Sequence, residues 1–583
     1  MRRSLVSAAA AWLTVVAAQQ EAVKPIPPTT SSVTSSARPE QTSLILDVLS
    51  HPEDVSVLGP GFIFISAYFS IFPPDWKSGK LRPEPKKKDW GPHIFDQRGN
   101  LVWHAPDGWV ESRAWPFQAC DFAGKVGTHL CMNDGDIDLR GGFSSGATRI
   151  FNSSYIEVAR LEGTAGIPGP DGHELNVLPG GMSALQDAYS PVPVDLTGFG
   201  GHHEAFLYSG CFQERSLLTS EAIFTWCSAD HIPIDESHAW LPTLLRPDVG
   251  TVHRPWDYIH VNALDKDIYG DYYVSAKGSD TVYKIAGTSN ALAYPGEILW
   301  KLGGWNDEWK VNDFKLLDGL NFSGQHHVRV LSVSNKTTLL SLYDNAWLRP
   351  GRMQKPYESS TTSNGKFIEL DTDAMTARLV GLYLPPDNFW HVTSIQGTTQ
   401  QLQNGNVFMG WGPNNILTEH TSGVPGTILW HGIFGSGLDL EGYRSYKQPW
   451  VGHPLEPPDI FAYAQDCEAP VYTYMSWNGA TEHRTWTIFA ADYLERGEGR
   501  SVLTVDKAGY ETVAQVPKGQ VRKYVYAQAF DEFGHILGTS KRIKVWIPDQ
   551  TIRSSYSCGL ESCGPHLKSY DIHSSQADLC HLM

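Results

Sequence analysis

Three short phrases, each a histidine at the head of an alternating, strand-like run, are the strongest candidates for chemistry in this sequence. They begin at His260, His327 and His391, and they lie 67 residues (260 to 327) and 64 residues (327 to 391) apart. His326 precedes His327, so the second phrase carries two adjacent candidates. A neutral imidazole is both a nucleophile and a proton carrier near neutral pH. The phrases therefore predict proton or group transfer if they meet in space.

A second repeated phrase, Gly-x-Ile-Leu-Trp, follows the histidine phrases at a nearly constant spacing and indicates the elements that position the histidines. It ends at Trp300, 40 residues after His260, and at Trp430, 39 residues after His391. The phrase that ends at Trp103 matches the same pattern, and looser copies of the two phrases occur at Trp226 and His173. Repeats of about 65 residues between positions 43 and 455 give roughly six units, which fits the blades of a β-propeller.

The fold class predicted from these repeats is all-β, with a six-bladed β-propeller over residues 43–455. Short β-rich runs alternate with Gly, Pro, Asn and Asp turns, and long amphipathic helices are absent from the pattern. Residues 459–548 carry strands at the spacing of a small sandwich of the fibronectin-III or immunoglobulin type. If the histidine phrase is the strand that lines the channel, the histidines gather at one rim.

The two ends of the chain read as segments outside the fold. Residues 1–18 resemble a signal peptide, residues 19–42 form a leader rich in Ser, Thr and Pro, and residues 549–583 form a tail that contains cysteine. We therefore expect a secreted, extracellular protein. The net charge of −17 offers no basic surface, so nucleic acid and membranes are not expected partners, whereas a small aromatic compound is.

Secretion is consistent with the cysteines and with three glycosylation sequons. Proximity in sequence pairs Cys120 with Cys131, Cys211 with Cys227 and Cys558 with Cys563, which leaves Cys467 and Cys580. The alternative is that some of these thiols stay unpaired and buried. The sequons begin at Asn152, Asn321 and Asn335.

Several motifs resemble the arylsulfotransferase family, in particular its secreted eukaryotic branch. They are Tyr258-Ile259-His260-Val261-Asn262, Gln325-His326-His327 followed by Ser341-Leu342-Tyr343-Asp344-Asn345-Ala346, and Ser476-Trp477-Asn478-Gly479-Ala480-Thr481. The resemblance covers most of residues 43–548. It implies a propeller in which a channel histidine takes a sulfuryl group from an aryl sulfate and passes it to a phenol. His326 matches the nucleophile, with His327 as the alternative, and His260 matches a histidine that binds sulfate.

One departure from the family pattern separates two functional hypotheses. Asn364 stands where the bacterial sulfotransferases have an active-site arginine, and Arg329 is the residue that would have to compensate. His391, Asn262 and Trp390 complete the candidate substrate-binding residues. Without the arginine, the histidines become a general acid and base for dehydration, cyclisation or a hetero-Diels-Alder-type cycloaddition in natural-product biosynthesis.

Two further alternatives stay open at the level of sequence. The protein is a non-catalytic scaffold if the histidines only tie adjacent blades together by hydrogen bonds. A histidine cluster also binds metals, but no close His-x-His, Cys-x-x-Cys or HExxH spacing occurs, so we expect neither a metal nor a cofactor.

Overall fold

The chain is built from short antiparallel sheets, and the predicted all-β fold class is confirmed. The computed structural model describes residues 32–36, 42–69, 90–138, 143–163, 166–239, 249–304, 312–346, 359–387, 392–436, 440–466, 468–521 and 523–548. The helices in these ranges are single 3₁₀ turns at Val55–Val57, Thr197–Phe199, Ser228–Asp230, Ile234–Glu236, Lys277–Ser279 and Gly412–Asn414. No helix in these ranges is long and apolar enough to cross a bilayer.

Six sheets, called blades 1 to 6 here, follow one another along most of the chain. Blade 1 has the strand order β29-β4-β5-β6 and blade 2 the order β7-β8-β9-β10; blade 3 is β11-β12-β13-β14, with β15 beside β13. Blade 4 is β16-β17-β18-β19, blade 5 is β21-β22-β23-β24-β20, and blade 6 is β25-β26-β27-β28-β3. A short hairpin of β1 and β2 precedes them.

The strand bounds, numbered in chain order, are as follows. The first half contains β1 (Ser32–Thr34), β2 (Thr42–Leu44), β3 (Leu46–Ser50), β4 (Phe62–Phe69), β5 (Gly91–Phe95), β6 (Leu101–His104), β7 (Arg113–Phe122), β8 (Lys125–Asp138), β9 (Phe143–Phe151), β10 (Glu157–Leu161), β11 (Leu175–Val177), β12 (Ser183–Val194), β13 (Ala205–Ser216), β14 (Ala222–Cys227) and β15 (Trp256–Asp257). The remaining blade strands are β16 (Val261–Lys266), β17 (Tyr272–Ala276), β18 (Thr281–Ile285), β19 (Ile298–Gly303), β20 (Lys315–Leu316), β21 (His326–Val333), β22 (Thr337–Asp344), β23 (Asn364–Asp371), β24 (Thr376–Tyr383), β25 (Thr398–Gln401), β26 (Val407–Gly410), β27 (Ile416–His420), β28 (Ile428–Phe434) and β29 (Leu440–Gln448).

The six blades close into a ring, which is the sheet arrangement of a β-propeller. The innermost strands β29, β7, β11, β16, β21 and β25 each contact the next around the ring, and β25 contacts β29. In two blades, strands from the beginning and the end of the propeller region pair with each other. β29 supplies the innermost strand of blade 1, and β3 supplies the outermost strand of blade 6. The ring is therefore held shut by backbone hydrogen bonds between distant parts of the chain.

The repeated tryptophan phrase marks outer strands that pack into the following blade. Trp226 of β14 donates from Nε1 to the carbonyl of Gly296 at 3.1 Å in blade 4. Trp430 of β28 donates to the carbonyl of Gln97 at 2.8 Å in blade 1. Trp103 of β6 lies 5.8 Å, between ring centroids, from Phe117 of blade 2. Each buried indole packs between two sheets, and the phrase recurs in blades 1, 3, 4 and 6.

The histidine phrase coincides with innermost strands in three of four cases. His173 precedes β11, His260 precedes β16, and His326 and His327 begin β21. The prediction that the phrase beginning at His391 is an inner strand is wrong, because residues 392–397 form no strand and blade 6 begins its inner strand at Thr398. An apolar run after a histidine is not enough to decide between a loop and a strand.

After blade 1 closes, the chain forms two sheets that face each other. One contains β30 (Asp459–Tyr463), β31 (Val471–Ser476) and β34 (Glu511–Val516); the other contains β33 (Arg500–Asp506), β32 (Thr485–Ala491), β35 (Tyr524–Phe530) and β36 (Ile536–Thr539). Their core contains Met475, Trp486, Ile488 and Val525. This sandwich is tied to blade 1, since Asn478 accepts from the amide of His104 at 3.0 Å.

Two of the three predicted disulfides are confirmed. Cys120 pairs with Cys131 across β7 and β8, and Cys211 pairs with Cys227 across β13 and β14. The predicted Cys558–Cys563 bond, together with Cys467 and Cys580, lies outside the described residues. The sequon residues Asn152, Asn321 and Asn335 are half-buried or exposed, and their glycosylation stays a prediction.

A buried carboxylate, Glu174, joins four blades at the channel axis. Its two oxygens bind the guanidinium of Arg329 in blade 5 at 2.8 and 3.0 Å, and one of them binds Arg444 in blade 1 at 2.7 Å. The amide of Leu264 in blade 4 donates to it at 3.0 Å. Burial opposes its ionisation, but the two guanidinium charges hold the pKa of Glu174 below its usual value.

We predict that Arg444→Met destabilises the protein by about 3–5 kcal/mol, because Glu174 then keeps a buried charge with one counter-ion fewer. Arg378→Met is the matched control, since Arg378 pairs with Glu369 at the surface, with 58% and 36% of the two side chains exposed. This control costs less than about 1 kcal/mol. Thermal unfolding followed by circular dichroism measures both. Equal losses in the two variants would contradict the axial role of Glu174.

Several buried histidines make stability depend on pH. Burial lowers the pKa of His420 to about 4, and Thr418 is its hydrogen-bond partner at 2.7 Å. The unfolded imidazole has a pKa near 6.5 and so binds more protons than the folded one between about 6.5 and 4. The free energy of unfolding therefore falls as the pH drops through this window.

We expect His420→Gln to flatten the fall of Tm between pH 6.5 and 4.5, because glutamine keeps a polar contact to Thr418 without gaining a proton. His51→Gln changes an exposed histidine and serves as the control. The measurement is Tm against pH for the wild type and both variants. An unchanged slope in His420→Gln would exclude this histidine as a source of acid sensitivity.

Candidate functional site

Three histidines meet at the mouth where the innermost strands begin. His173, His260 and His326, called the histidine mouth here, come from blades 3, 4 and 5. The rings of His173 and His260 lie 4.7 Å apart, edge to face. The ring of His326 lies 6.4 Å from that of Tyr443, which lies 5.6 Å from His173. Neighbouring blades thus bring together side chains that are far apart in sequence.

His260 is held by a carboxylate and presents its other nitrogen to the mouth. Its Nδ1 lies 2.7 Å from Oδ2 of Asp257, on the short strand β15. Its Nε2 makes no hydrogen bond to the described part of the chain, and 14% of the side chain is exposed. The backbone at His260 is left-handed, with φ of +51°. Burial lowers the pKa of His260 to about 4, although the charge of Asp257 opposes this shift. The ring is therefore neutral at pH 7.

His326 is saturated by hydrogen bonds on both ring nitrogens. The Nδ1 atom lies 2.7 Å from Oδ1 of Asn345 and 3.1 Å from the carbonyl of Gly324. Both neighbours are acceptors, so Nδ1 carries the proton. The Nε2 atom accepts from the amide of Gln396 at 3.3 Å. Burial and the charge of Lys277 lower the pKa of His326 well below its ordinary value.

The other sequence candidates lie deeper in the channel. Nδ1 of His327 lies 3.1 Å from the carbonyl of Thr399, and its ring lies 5.7 Å from Tyr446. Arg329 is held in the two-point ion pair with Glu174. Asn262 donates to the carbonyl of Gln325 at 2.8 Å and is fully buried. These three residues connect blades and do not face the histidine mouth.

Asn364, which replaces the expected arginine, is occupied within its own turn. Its Nδ2 donates to the carbonyl of Thr362 at 2.9 Å. A second guanidinium among the described residues of the channel, that of Arg444, is also bound to Glu174. His391 and Trp390, which the sequence predicts as substrate-binding residues, lie outside the described residues.

Aromatic rings form one wall of the mouth beside His260. Phe143 lies 4.5 Å from Tyr189, 4.6 Å from Tyr208 and 5.9 Å from His260, measured between ring centroids. Trp115 lies 5.0 Å from Tyr443 on the opposite side of His173. Flat apolar walls with a few polar groups suit a small aromatic ligand.

The mouth is rich in carboxylates. Burial and the charges of three nearby carboxylates, those of Asp257, Asp187 and Asp171, raise the pKa of Tyr189 well above its usual value. The charge of Lys277 reaches both His260 and His326 and contributes to the lowering of their pKa values. Among the described residues, these three aspartates outnumber Lys277 at the mouth, which makes it a less favourable place for a dianion such as sulfate.

One group in the mouth has the composition of a metal site. Ligand atoms of Asp171, His173 and Asp187 lie within 4.8 Å of one another, and all three residues are buried. His173 and both aspartates were not predicted as site residues. His173 could have been found, because it heads a looser copy of the repeated histidine phrase. The two aspartates lie before and after it in the sequence, and no repeat or motif distinguishes them.

The sequence comparison with protein families identifies the family. Residues 127–435, more than half of the chain, match the arylsulfotransferase (ASST) family. No curated protein matches the sequence. Among solved structures, a protein of unknown function from Bacteroides caccae is 12% identical, with a TM-score of 0.32, over 66% of this chain and 98% of its own.

Two further solved structures are similar to the chain. A protein from Lactobacillus plantarum is 12% identical with a TM-score of 0.34, over 78% of this chain and 99% of its own. Quinohemoprotein alcohol dehydrogenase from Comamonas testosteroni is 10% identical with a TM-score of 0.28, over 67% of this chain and 68% of its own. With its family match spanning blades 2 to 6, the chain belongs to the arylsulfotransferase family.

Proposed function

We propose that the chain is a secreted enzyme that transfers protons on a small phenolic or aromatic compound, with His260 as the base and no sulfate donor. The observation that carries the proposal is the pairing of His260 with Asp257 at 2.7 Å. Asp257 accepts the Nδ1 proton, which leaves the lone pair on Nε2, the nitrogen without a hydrogen bond to the described part of the chain. A carboxylate in this position also stabilises the imidazolium once a proton is taken.

The chemistry follows from this arrangement. A phenol lying against Phe143 and Tyr189 gives its hydroxyl proton to Nε2 of His260. The phenolate electrons then expel a hydroxyl group from an ortho benzylic carbon, and the imidazolium returns the proton to that oxygen. Water leaves, a reactive quinone methide forms, and His260 is neutral again. Cyclisation or cycloaddition of that product needs only the aromatic walls to orient it.

Charge supports proton transfer over sulfuryl transfer. A sulfotransferase must hold an anionic sulfate, which favours a guanidinium clamp. Arg329 and Arg444 are both bound to Glu174, and Asn364 is bound to Thr362. Sulfuryl transfer is the second candidate function, favoured by family membership and by the charge of Lys277 beside His326. A non-catalytic scaffold is the third.

We predict that His260→Ala lowers kcat by 10²–10⁴-fold, the usual contribution of general acid–base catalysis. Asp257→Asn should lie between this variant and the wild type, because the amide does not stabilise the imidazolium. The assay follows loss of water from a panel of ortho-hydroxybenzyl alcohols by mass spectrometry, with a trapping dienophile present. His203→Ala is the matched control, because His203 pairs with Asp195 at 2.8 Å on the surface. Full activity of His260→Ala would exclude this residue as the base.

We also expect turnover without any sulfate donor. Incubation with 4-nitrophenyl sulfate and a phenol should release no 4-nitrophenol above background and leave His326 unmodified in peptide mass spectra. Release together with a sulfated His326 would overturn the proposal in favour of sulfuryl transfer. No turnover of either kind, with ligand binding unchanged in His260→Ala, would leave the scaffold function.

A further inference from the structure

Beside the proposed base lies a group of three buried ligands that the proton-transfer chemistry does not use. Asp171 and His173 approach β11, and Asp187 lies on the neighbouring strand β12. Their exposed fractions are 1%, 5% and 0%. Among the described residues this is the one place where three such side chains converge, with ligand atoms within 4.8 Å of one another.

The backbone of blade 3 holds these side chains in place. The amide of Asp171 donates to the carbonyl of Asp187 at 2.8 Å, and the amide of Glu174 donates to Oδ1 of Asp187 at 2.8 Å. One oxygen of Asp171 receives both the amide and Nδ1 of His173. The ligands are therefore fixed before anything binds, which lowers the cost of binding.

Two buried polar groups at this position lack a partner. The Oδ2 atom of Asp187 makes no hydrogen bond within the described part of the chain, and neither does the hydroxyl of Tyr443. The Tyr443 ring lies 5.6 Å from that of His173. A buried carboxylate oxygen and a buried phenol without partners point to an occupant between them.

The two aspartates at this position have no direct ion pair with a lysine or arginine among the described residues. Asp171 contacts Nδ1 of His173 and the amide of Ser144, and the charge of Arg444 acts on Asp187 only from a distance. Two carboxylates side by side in a buried site need either a shared proton or a cation.

We propose that Asp171, His173 and Asp187 bind one divalent transition-metal ion. Two carboxylate oxygens and one imidazole nitrogen suit Mn²⁺, Zn²⁺ or Fe²⁺ better than Ca²⁺, which takes oxygen ligands. Ligand atoms around such an ion are about 3–4 Å apart, so the three side chains close on it with small movements. Water or a substrate oxygen takes the remaining positions.

The site extends the proposed function without depending on it. His173 packs on His260 at 4.7 Å, so the ion lies next to the proposed base. There it can bind the oxygen of a phenolate as the proton leaves. Metal binding is nevertheless a property of blade 3 alone and is measurable with no organic substrate present.

The test uses chelator-treated full-length protein titrated with Mn²⁺, Zn²⁺ or Ca²⁺ alone. We expect one Mn²⁺ or Zn²⁺ per chain by native mass spectrometry and calorimetry, with a rise in Tm, and weaker binding of Ca²⁺. Asp187→Asn should weaken binding by more than about 100-fold, since losing even an outer-shell partner costs 10–100-fold. Asp195→Asn, in the exposed pair of Asp195 with His203, is the control and should bind as the wild type does.

A second measurement needs no variant. Pulsed electron paramagnetic resonance of the Mn²⁺-loaded wild type should show coupling to a directly bound imidazole nitrogen. Absence of stoichiometric binding, or bound Mn²⁺ without that coupling, would overturn the metal site and leave a shared proton between the two aspartates. His260→Ala should keep metal affinity, so failure of the base and failure of the metal site give different results.

Discussion

The structure depends on how one buried negative charge is neutralised at the axis of the ring. Glu174 has no exposed surface, and it is bound by Arg329 and Arg444 and by the amide of Leu264. Such a group contributes little net stability compared with apolar packing, because desolvation offsets the attraction. It does fix geometry, since each partner comes from a different blade. The relative positions of blades 1, 3, 4 and 5 at the mouth therefore follow from the coordination of a single side chain.

The neutralisation of Glu174 by the two arginines limits the chemistry available at the histidine mouth. Arg329 donates twice to Glu174, and Arg444 donates once to Glu174 and once to the carbonyl of Asn262 at 2.6 Å. Both guanidinium groups are already engaged, so a two-point clamp on a substrate anion would have to break these contacts. Among the described residues, the channel arginines Arg329 and Arg444 are bound to Glu174, while the mouth holds Asp171, Asp187, Asp257 and the imidazoles of His173, His260 and His326. The described residues of the mouth thus offer little positive charge for binding a sulfate, which is why proton transfer is proposed ahead of sulfuryl transfer.

The repeats predict the ring because they reflect packing between neighbouring blades that recurs in four of the six blades. Trp226 and Trp430 fill the same wedge between sheets, so their spacing reports the size of a blade. The disulfides were predictable as well, because each joins neighbouring strands close in sequence. The strand predicted after His391 is not formed. Nothing in the sequence argued against it, because residues 392–395 show the same residue pattern as a true inner strand. Tyr443 and Asp187 could not be predicted, because blade closure and pairing within blade 3 bring them to the mouth.

The choice between His260 and His326 illustrates the limit of family motifs. The motif points to His326, but the carboxamide of Asn345 donates to the carbonyls of Thr393 and Gln396 at 2.8 and 3.0 Å. Its Oδ1 must then face His326, which fixes the proton on Nδ1, and the amide of Gln396 covers Nε2. To attack a sulfate, His326 must first lose that bond in a buried site. His260 has no such cost among the described residues, because Asp257 holds Nδ1 and no hydrogen bond from the described part of the chain covers Nε2. Both histidines were identified from family motifs, but their hydrogen bonds favour different chemistry.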